Sequence, residues 1–350
     1  MEFLVLAIAF VVILAGAELF TNGIEWFGLK LGLAEGAVGS VLAAVGTALP
    51  ETMIPIIAIL FSAGASSSEV GVGAILGAPF MLATLAMFVT GVAVLIVGRH
   101  RSTGDVMRVD TVVLAHDMRF FAIAYTIAIA ASFLPVDPTW LKWIVAAVLI
   151  GIYFWYVKGH FEADPDTDAE DLVPLRLRRL DARHHRHNPA VPRLRVVNLQ
   201  VLLALGLIVA GATFFVDSVE QIAEELHVDG TLLALVIAPI ATELPEKFNS
   251  VIWVRMGKDT LAMGNITGAM VFQATIPTVV ALLFAPHAWV AESGSYTAFA
   301  SAGIAFLSSA FVFIPMARRG ELRGRGLLIG GVFYLAYLSA VITVISGVLG

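Results

Sequence analysis

The sequence predicts an all-α polytopic membrane protein with about ten transmembrane helices, built as two halves of five. Two observations carry this prediction: an apolar composition and an internal duplication. Of the 350 residues, 59% are hydrophobic and only 14% are charged. Soluble domains are closer to half apolar and a quarter charged. The chain is therefore expected to lie mostly in the lipid bilayer, with little room for a separate globular domain.

The duplication is a 39-residue segment whose two copies align without a gap at an offset of 195 residues. The first copy runs from Ile13 to Glu51 and the second from Ile208 to Glu246. Both copies end in a Pro-Glu pair in the middle of a long apolar stretch. A carboxylate inside hydrocarbon costs several kcal/mol, so an intramembrane one indicates a functional site.

A helix needs roughly 20 mostly apolar residues to cross the bilayer. Segments of this kind lie near residues 3–21, 36–61, 71–98, 119–135, 139–157, 197–216, 230–254, 261–285, 294–316 and 327–348. The predicted organisation is a first five-helix repeat over 1–157, a charged cytoplasmic linker over 158–196 and a second five-helix repeat over 197–350.

The distribution of positive charge predicts the orientation of these spans. Nineteen of the 21 Lys and Arg residues fall in loops on one side, the exceptions being Lys142 and Lys247. Positively charged loops face the cytoplasm, so both termini are expected outside. Because five is odd, the second repeat is inverted relative to the first, an arrangement used for alternating access. The first ten residues are interpreted as part of an uncleaved span, and a plasma (inner) membrane location is expected.

The linker contains an acidic run followed by a basic run rich in histidine. Its charge pattern favours a solvated, self-neutralising connection over a regulatory cation site. The spacing of its acidic residues does not match an EF-hand loop.

Each Pro-Glu span offers oxygen ligands and no others. Thr47 and Thr242 lie four residues before Glu51 and Glu246, on the same helical face. A proline inside a helix also frees the carbonyl four residues earlier. Carboxylate, hydroxyl and carbonyl oxygens suit a hard cation such as calcium, sodium or magnesium and suit zinc or copper poorly.

The helix after each Pro-Glu span also repeats, as GAILGAPFMLAT from Gly73 and GNITGAMVFQAT from Gly264. Together these segments resemble the two alpha-repeats of the sodium/calcium exchanger family, within the calcium/cation antiporter superfamily. Those repeats read approximately A-x-G-T-S-x-P-E, followed by G-N-x-x-G-S-N-x-x-x-N/D. The resemblance implies ion sites midway between spans two, three, seven and eight. It assigns metal binding to Glu51 and Glu246, and further cation-binding oxygens to Thr47, Thr242 and the backbone of Ala44 and Pro239.

This chain departs from the family pattern at several ligand positions. The serine of the family's G-T-S is Ala48 in the first repeat and Glu243 in the second. The family's Asn or Asp is Leu82 in the first repeat and Gln273 in the second, whereas Asn265 keeps the asparagine of G-N. The first repeat has thus lost side-chain ligands. The second has gained a carboxylate, and Glu243, Gln273 and Asn265 complete the predicted cation-binding residues.

Lys247 directly follows Glu246 and is a possible modulator of charge at the site. A buried lysine must find a partner or lose its proton. Two interpretations stay open. Either Lys247 neutralises one of the three carboxylates and substitutes for one bound cation, or it snorkels or pairs elsewhere in the bundle.

The resulting expectation is a secondary active cation antiporter that exchanges calcium for sodium through mid-membrane carboxylates. The alternatives are a proton/divalent cation exchanger of the same fold, and a non-transporting membrane protein that retains the fold. Enzymatic motifs such as HExxH and GxSxG are absent, as is cysteine, so an enzyme is not expected. The expected partners are inorganic cations and the bilayer, with no cofactor, nucleotide or nucleic acid.

Overall fold

The computed structural model describes residues 2–60, 65–162, 172–181, 192–225, 243–291 and 296–345. The helices are α1 Glu2–Leu31, α2 Glu35–Thr47, α3 Leu49–Leu60, α4 Ala65–Met81, α5 Met87–Gly98, α6 Thr111–Ala130, α7 Trp140–Phe161, α8 Leu194–Glu225, α9 Leu244–Met256, α10 Asp259–Phe284, α11 Tyr296–Arg319, α12 Gly324–Leu327 and α13 Ile329–Ile345. Strands β1 Val106–Met107 and β2 Leu322–Arg323 pair antiparallel.

Eight helices within the described ranges are long and apolar enough to cross a membrane. They correspond to eight of the ten predicted spans, from the first near the N-terminus to the tenth near the C-terminus. Large apolar side chains on them, such as Leu4, Phe154 and Leu335, are exposed, as expected of a surface that contacts lipid. The other two predicted spans are those that contain Pro-Glu. In the first of them the helix is interrupted, and in the second the described helix begins at Leu244.

In the first repeat the interruption comes immediately before Pro50. Helix α2 contains a π-helical stretch, Val38–Ala43, and ends at Thr47. Ala48 has φ −76° and ψ −4°, and α3 then begins at Leu49. A proline is tolerated in the first turn of a helix, where no intrahelical partner is needed for its nitrogen. The break therefore puts Glu51 in the first turn of a new helix.

The second repeat follows the same local rule. Helix α9 starts at Leu244 with Pro245 in its first turn and Glu246 directly after it, while Glu243 precedes it with φ −88° and ψ 5°. The helix ends at Gly257, whose φ of 76° is left-handed and suits glycine. Predicted site residues Pro239 and Thr242 lie outside the described residues.

Two compact units can be distinguished, and each combines segments from both repeats. The first unit comprises residues 1–50 and 157–265, and the second comprises residues 51–156 and 266–350.

In the first unit, α1 and α8 pack closely against each other through matched glycines. A Cβ placed on Gly16 would lie 3.0 Å from Ile208 Cγ1, and one on Gly211 would lie 2.9 Å from Ile13 Cγ1. Gly16 and Gly211 are equivalent positions of the duplication, as are Ile13 and Ile208. Gly16 meets the equivalent of Ile13, and Ile13 meets the equivalent of Gly16. Contacts that advance along one helix therefore go back along the other, so the two helices run antiparallel. That direction is the one required of equivalent helices in inverted repeats.

Part of the linker docks onto the same two helices. Asn22 Nδ2 and Trp26 Nε1 of α1 donate to the carbonyl oxygen of Val173, at 3.1 and 2.9 Å. Gln200 of α8 accepts from the Leu177 amide at 2.9 Å and donates to Asn22 Oδ1 at 2.9 Å. Trp26 also packs with Leu172, Leu175 and Val197. The linker was expected to be solvated, but residues 172–181, the docked linker segment, are held by specific contacts.

Replacing Gln200 with leucine is expected to destabilise the protein by about 1–3 kcal/mol, because buried hydrogen-bond partners would be left unpaired. Gln200 also donates to the Leu19 carbonyl at 3.0 Å. The measurement is thermal unfolding in detergent. Asn198→Leu, on the same helix, is the matched control, since Asn198 Oδ1 has no hydrogen-bond partner among the described residues. Equal shifts in the two variants would contradict the docking.

In the second unit, helices α4 and α5 are joined by a π-helical turn, Leu82–Ala86. Such a turn loosens the regular hydrogen bonding of the backbone, and neighbouring helices make up the deficit. Ser308 of α11 donates to the carbonyl oxygen of Ala83 at 2.6 Å. Helix α13 packs against the same turn, with Gly330 facing the Thr84 carbonyl at a distance that leaves no room for a side chain.

Lys142, one of the two exceptions to the charge distribution, is fully buried in the second unit. Its ammonium donates to the carbonyl oxygens of Pro286 and Trp289, at 2.6 and 2.8 Å. These carbonyls follow the end of α10, where backbone acceptors lack helical partners. The Lys142 ammonium therefore pairs with backbone carbonyls at the end of α10, the most buried span among the described residues.

Helix α6 begins at Thr111, earlier than the predicted span near residue 119, which puts Asp117 and Arg119 in the helix rather than in the preceding loop. The Asp110 carboxylate caps the helix by accepting from the amides of Val112 and Val113, at 2.8 and 3.2 Å. This local signal was present in the sequence.

Candidate functional site

Three predicted site residues meet in the first unit. The Thr47 hydroxyl, at the end of α2, lies 3.2 Å from Asn265 Oδ1 and 3.1 Å from the Ala43 carbonyl oxygen. Asn265 Nδ2, on α10, donates to the backbone carbonyl of Glu246 at 3.3 Å. All three side chains are essentially inaccessible to solvent. Asn265 thereby links the broken end of one Pro-Glu span to the first turn of the other.

Glycines allow α2 and α10 to approach closely enough for this contact. A Cβ on Gly264 would lie 2.8 Å from Ser40 Oγ, and one on Gly39 would lie 3.1 Å from Leu261 Cα. Small residues at helix crossings permit close contact between backbones in membrane proteins. This packing places Asn265, directly after Gly264, next to Thr47. Ala44, predicted to offer a backbone oxygen, is also buried in α2.

The Glu246 carboxylate is the most exceptional group in this unit. It is fully buried, and neither of its oxygens accepts a hydrogen bond from a described residue. The charged side chains of Glu243 and Lys247 lie near it. An ionised carboxylate buried in this way is costly unless a positive charge compensates it. Glu246 is therefore suited to take up a cation or a proton.

Lys247 has a defined partner in the first unit. Its ammonium lies 2.7 Å from Glu243 Oε2 and 3.5 Å from the Glu243 backbone oxygen. Both side chains are buried, with exposed fractions of 6% and 2%. Lys247 thus pairs with Glu243, the carboxylate that this chain has gained at the family's serine position.

The next turn of α9 adds a second polar position without a partner. Asn249 is fully buried, and its amide nitrogen and oxygen are both without hydrogen bonds among the described residues. It lies three positions after Glu246, so the two side chains share one face of the helix. Ser250 differs, because its hydroxyl donates to the Ala262 carbonyl at 3.0 Å.

In the second unit, Glu51 is joined to Gln273. Gln273 Nε2, on α10, donates to Glu51 Oε1 at 2.5 Å and to Thr52 Oγ1 at 2.9 Å. All three side chains are buried. The amide at the family's acidic position thus acts as a hydrogen-bond donor to the first-repeat carboxylate. Thr52 was not among the predicted residues, and its relation to Gln273 depends on tertiary packing.

The sequence reasoning also missed another buried carboxylate, Asp117 of α6. Thr267 of α10 donates to Asp117 Oδ2 at 2.5 Å, and the Tyr156 hydroxyl of α7 donates to Oδ1 at 3.1 Å. The Asp110 cap would have extended the predicted helix to include Asp117. Its partners come from distant segments, so no local pattern would have identified them.

A further buried acid of the first unit, on α1, contacts residues at the C-terminal end of α9. Glu25 of α1 accepts from Trp253 Nε1 at 2.7 Å and forms an ion pair with Lys258. Because both partners flank the end of α9, Glu25 anchors α1 to the helix whose first turn contains Glu246.

Comparison with known proteins agrees with this architecture. The family model described as "Sodium/calcium exchanger protein" matches residues 1–159 and 197–346, which is the whole chain except the linker and the last residues. The "Sodium/calcium exchanger MaX1" of Methanosarcina acetivorans is 22% identical across 96% of this chain and 97% of its own length. The "Putative antiporter CaxA" of Alkalimonas amylolytica is 30% identical, over 39% of this chain and 42% of its own length.

The fold also matches a solved structure. A structure of the sodium-calcium exchanger NCX_Mj, soaked with sodium and strontium, superposes with a TM-score of 0.71 over 97% of each chain, at 16% identity. The predicted fold class is therefore confirmed. In this family the transported ions are substrates and no cofactor is used. The chain belongs to the sodium/calcium exchanger family, and it is a multi-pass membrane cation antiporter of that type and not an enzyme.

Proposed function

We propose that the protein exchanges calcium for sodium across the membrane, with both ions binding in turn at the buried carboxylates Glu246 and Glu51. The observation that carries this proposal is the Glu246 carboxylate, which is fully buried without a hydrogen-bond donor among the described residues. Its nearby polar groups are hydroxyl, amide and carbonyl, which provide the oxygen ligands that calcium and sodium favour.

The roles of the individual residues follow from their contacts. Glu246 supplies the charge in the first unit, while Thr47 and Asn265 supply neutral oxygens beside it. Glu51 supplies the charge in the second unit, and Gln273 holds that carboxylate in place. Thr242 and the backbone oxygens of Ala44 and Pro239 complete the proposed set through the family pattern.

Coupling of the two fluxes requires no ATP in this proposal. A carboxylate that carries no compensating charge crosses the bilayer interior only at a large cost. Binding of calcium or of sodium removes that cost and shifts the population towards states that change access. Since only occupied sites change access, movement of one ion is tied to movement of the other.

The location and topology belong to the same proposal. We assign the protein to the plasma (inner) membrane, with both termini outside and the linker in the cytoplasm, from the positions of its Lys and Arg residues. The two five-helix repeats, 1–157 and 197–350, then have opposite orientations.

A second candidate is exchange of protons for a divalent cation. The observation that favours it is the loss of oxygen ligands at Ala48 and Leu82, together with the uncharged amide of Gln273 at an acidic position of the family. Fewer oxygen ligands weaken sodium binding more than proton binding, because a proton needs only one carboxylate.

The deciding experiment is uptake of radioactive calcium into proteoliposomes under three conditions. The vesicles carry an outward sodium gradient, an outward proton gradient or no gradient, and empty liposomes provide the background. We expect uptake above background with the sodium gradient alone. Uptake driven by the proton gradient alone would establish the second candidate. Absence of uptake under both gradients would overturn calcium exchange.

A further inference from the structure

The ion pair between Glu243 and Lys247 is unusual for its place in the fold. Both residues belong to the segment that starts α9, and Glu246 lies between them in sequence. The ammonium and the Glu243 carboxylate are 2.7 Å apart and almost completely buried. Such a pair costs desolvation energy, which is recovered only while both partners stay together.

Charge counting in the first unit isolates Glu246. The cluster formed by Glu243, Glu246 and Lys247 holds two carboxylates and one ammonium, and the ammonium contacts Glu243. Neither oxygen of Glu246 receives a hydrogen bond from Lys247 or any other described residue. One negative charge is therefore left for a mobile ion to neutralise.

The pair also has a geometry that an exchangeable ion lacks. Glu243 immediately precedes α9 and Lys247 lies four positions later in its first turn, so the ammonium stays beside Glu243 when this segment moves as a unit. A lysine ammonium is a compact point charge with three donors, comparable to a bound monovalent cation. Unlike a bound ion, it is covalently attached and does not leave.

We propose that Lys247 is a resident cation that permanently occupies the Glu243 carboxylate, so that the first unit takes up one mobile positive charge in each cycle rather than two. This inference rests on the proposed antiport and specifies its stoichiometry. Glu243 stands where the family has serine. In this proposal its carboxylate is occupied by Lys247 and is not available to bind a mobile ion.

The test compares four purified proteins: wild type, Lys247→Met, Glu243→Gln and the double variant. Methionine keeps the length of the lysine stem without its charge. Equilibrium binding of radioactive sodium and calcium gives the number of ions bound, and the reversal potential of calcium uptake in proteoliposomes gives the coupling ratio.

Lys247→Met is expected to bind one further monovalent cation, because the Glu243 carboxylate is then uncompensated. The double variant is expected to return to the wild-type number, since neither charge remains. Glu243→Gln leaves the ammonium without its carboxylate next to Glu246, where it competes with the mobile ion. Its cation affinity is expected to fall by about tenfold or more.

Lys247→Arg and thermal unfolding keep the test decisive when Lys247→Met is poorly folded. Arginine retains the charge and should keep the wild-type number of ions, and sodium should rescue the stability of Lys247→Met. A wild type that binds cations together with a Lys247→Met variant of unchanged stoichiometry would overturn the resident cation and leave the antiport intact. A wild type that neither binds nor transports cations would overturn both.

Discussion

Replacing Glu246 with glutamine is expected to reduce gradient-driven calcium uptake to the level of empty liposomes. Glutamine preserves the size of the side chain and removes its charge. The Glu246 backbone carbonyl still accepts from Asn265, so the link to Thr47 is kept. The cation would lose the anionic partner that Glu246 provides in the first unit.

The same substitution is expected to raise thermal stability when no cation is present. In wild type, the buried carboxylate has no hydrogen-bond donor among the described residues and is costly to ionise. The neutral amide removes that cost. Wild type should be stabilised by added calcium or sodium, and the variant should not. Loss of transport together with this change in stability distinguishes a damaged ion site from a damaged fold.

Glu162→Gln provides the matched control for Glu246→Gln. Glu162 is exposed at the end of α7 and lies 3.6 Å from the ammonium of Lys158. An exposed pair of this kind contributes little, so uptake should be unchanged. If Glu246→Gln kept substantial uptake under the same conditions, Glu246 would not be the ion-binding carboxylate.

Gly330→Ala is the second substitution with a large expected effect, and this effect concerns stability. An added Cβ would overlap the carbonyl oxygen of Thr84 and lie 3.1 Å from its carbonyl carbon. The obstacle is backbone in the π-helical turn, which does not move aside as a flexible side chain would. Overpacking of this type costs about 1–3 kcal/mol. We expect a lower unfolding temperature in detergent.

Gly303→Ala serves as the matched control, since it is also a glycine inside a helix. No heavy atom lies within 4 Å of its ideal Cβ position. Alanine favours the helix over glycine by about 1 kcal/mol, so this variant should be unchanged or slightly more stable. The prediction for Gly330 fails if both variants shift by the same amount and in the same direction.

The sequence was sufficient for the main features of the fold because these have local causes. A run of apolar residues indicates a span wherever it occurs, and a proline inside a span removes a backbone hydrogen bond. The first Pro-Glu span is interrupted just before its proline, and in the second the described helix begins at Leu244 with Pro245 in its first turn. The early start of α6 was missed because His116, Asp117 and Arg119 lower the hydropathy of its first turns, although Asp110 marks the helix cap.

In the candidate site, too, some features have local causes that the sequence shows, and others depend on tertiary contacts. Buried carboxylates stand out in an apolar sequence, and the spacing of Glu243 and Lys247 allows a contact on one helix face. The contact of Gln273 with Thr52 and that of Asn265 with Thr47 join residues far apart in the chain. The docked linker segment similarly depends on Trp26 and Gln200, which come from different repeats. Such pairings result from tertiary packing, which single-sequence patterns do not encode.

The matched contacts between α1 and α8 make this helix pair self-complementary. Ile13 contacts Gly211 as Ile208 contacts Gly16, so each helix presents the same surface to the other. An interface with this symmetry is isologous, the type that joins two copies of one chain in a homodimer. Here the two partners are the duplicated segments of a single chain.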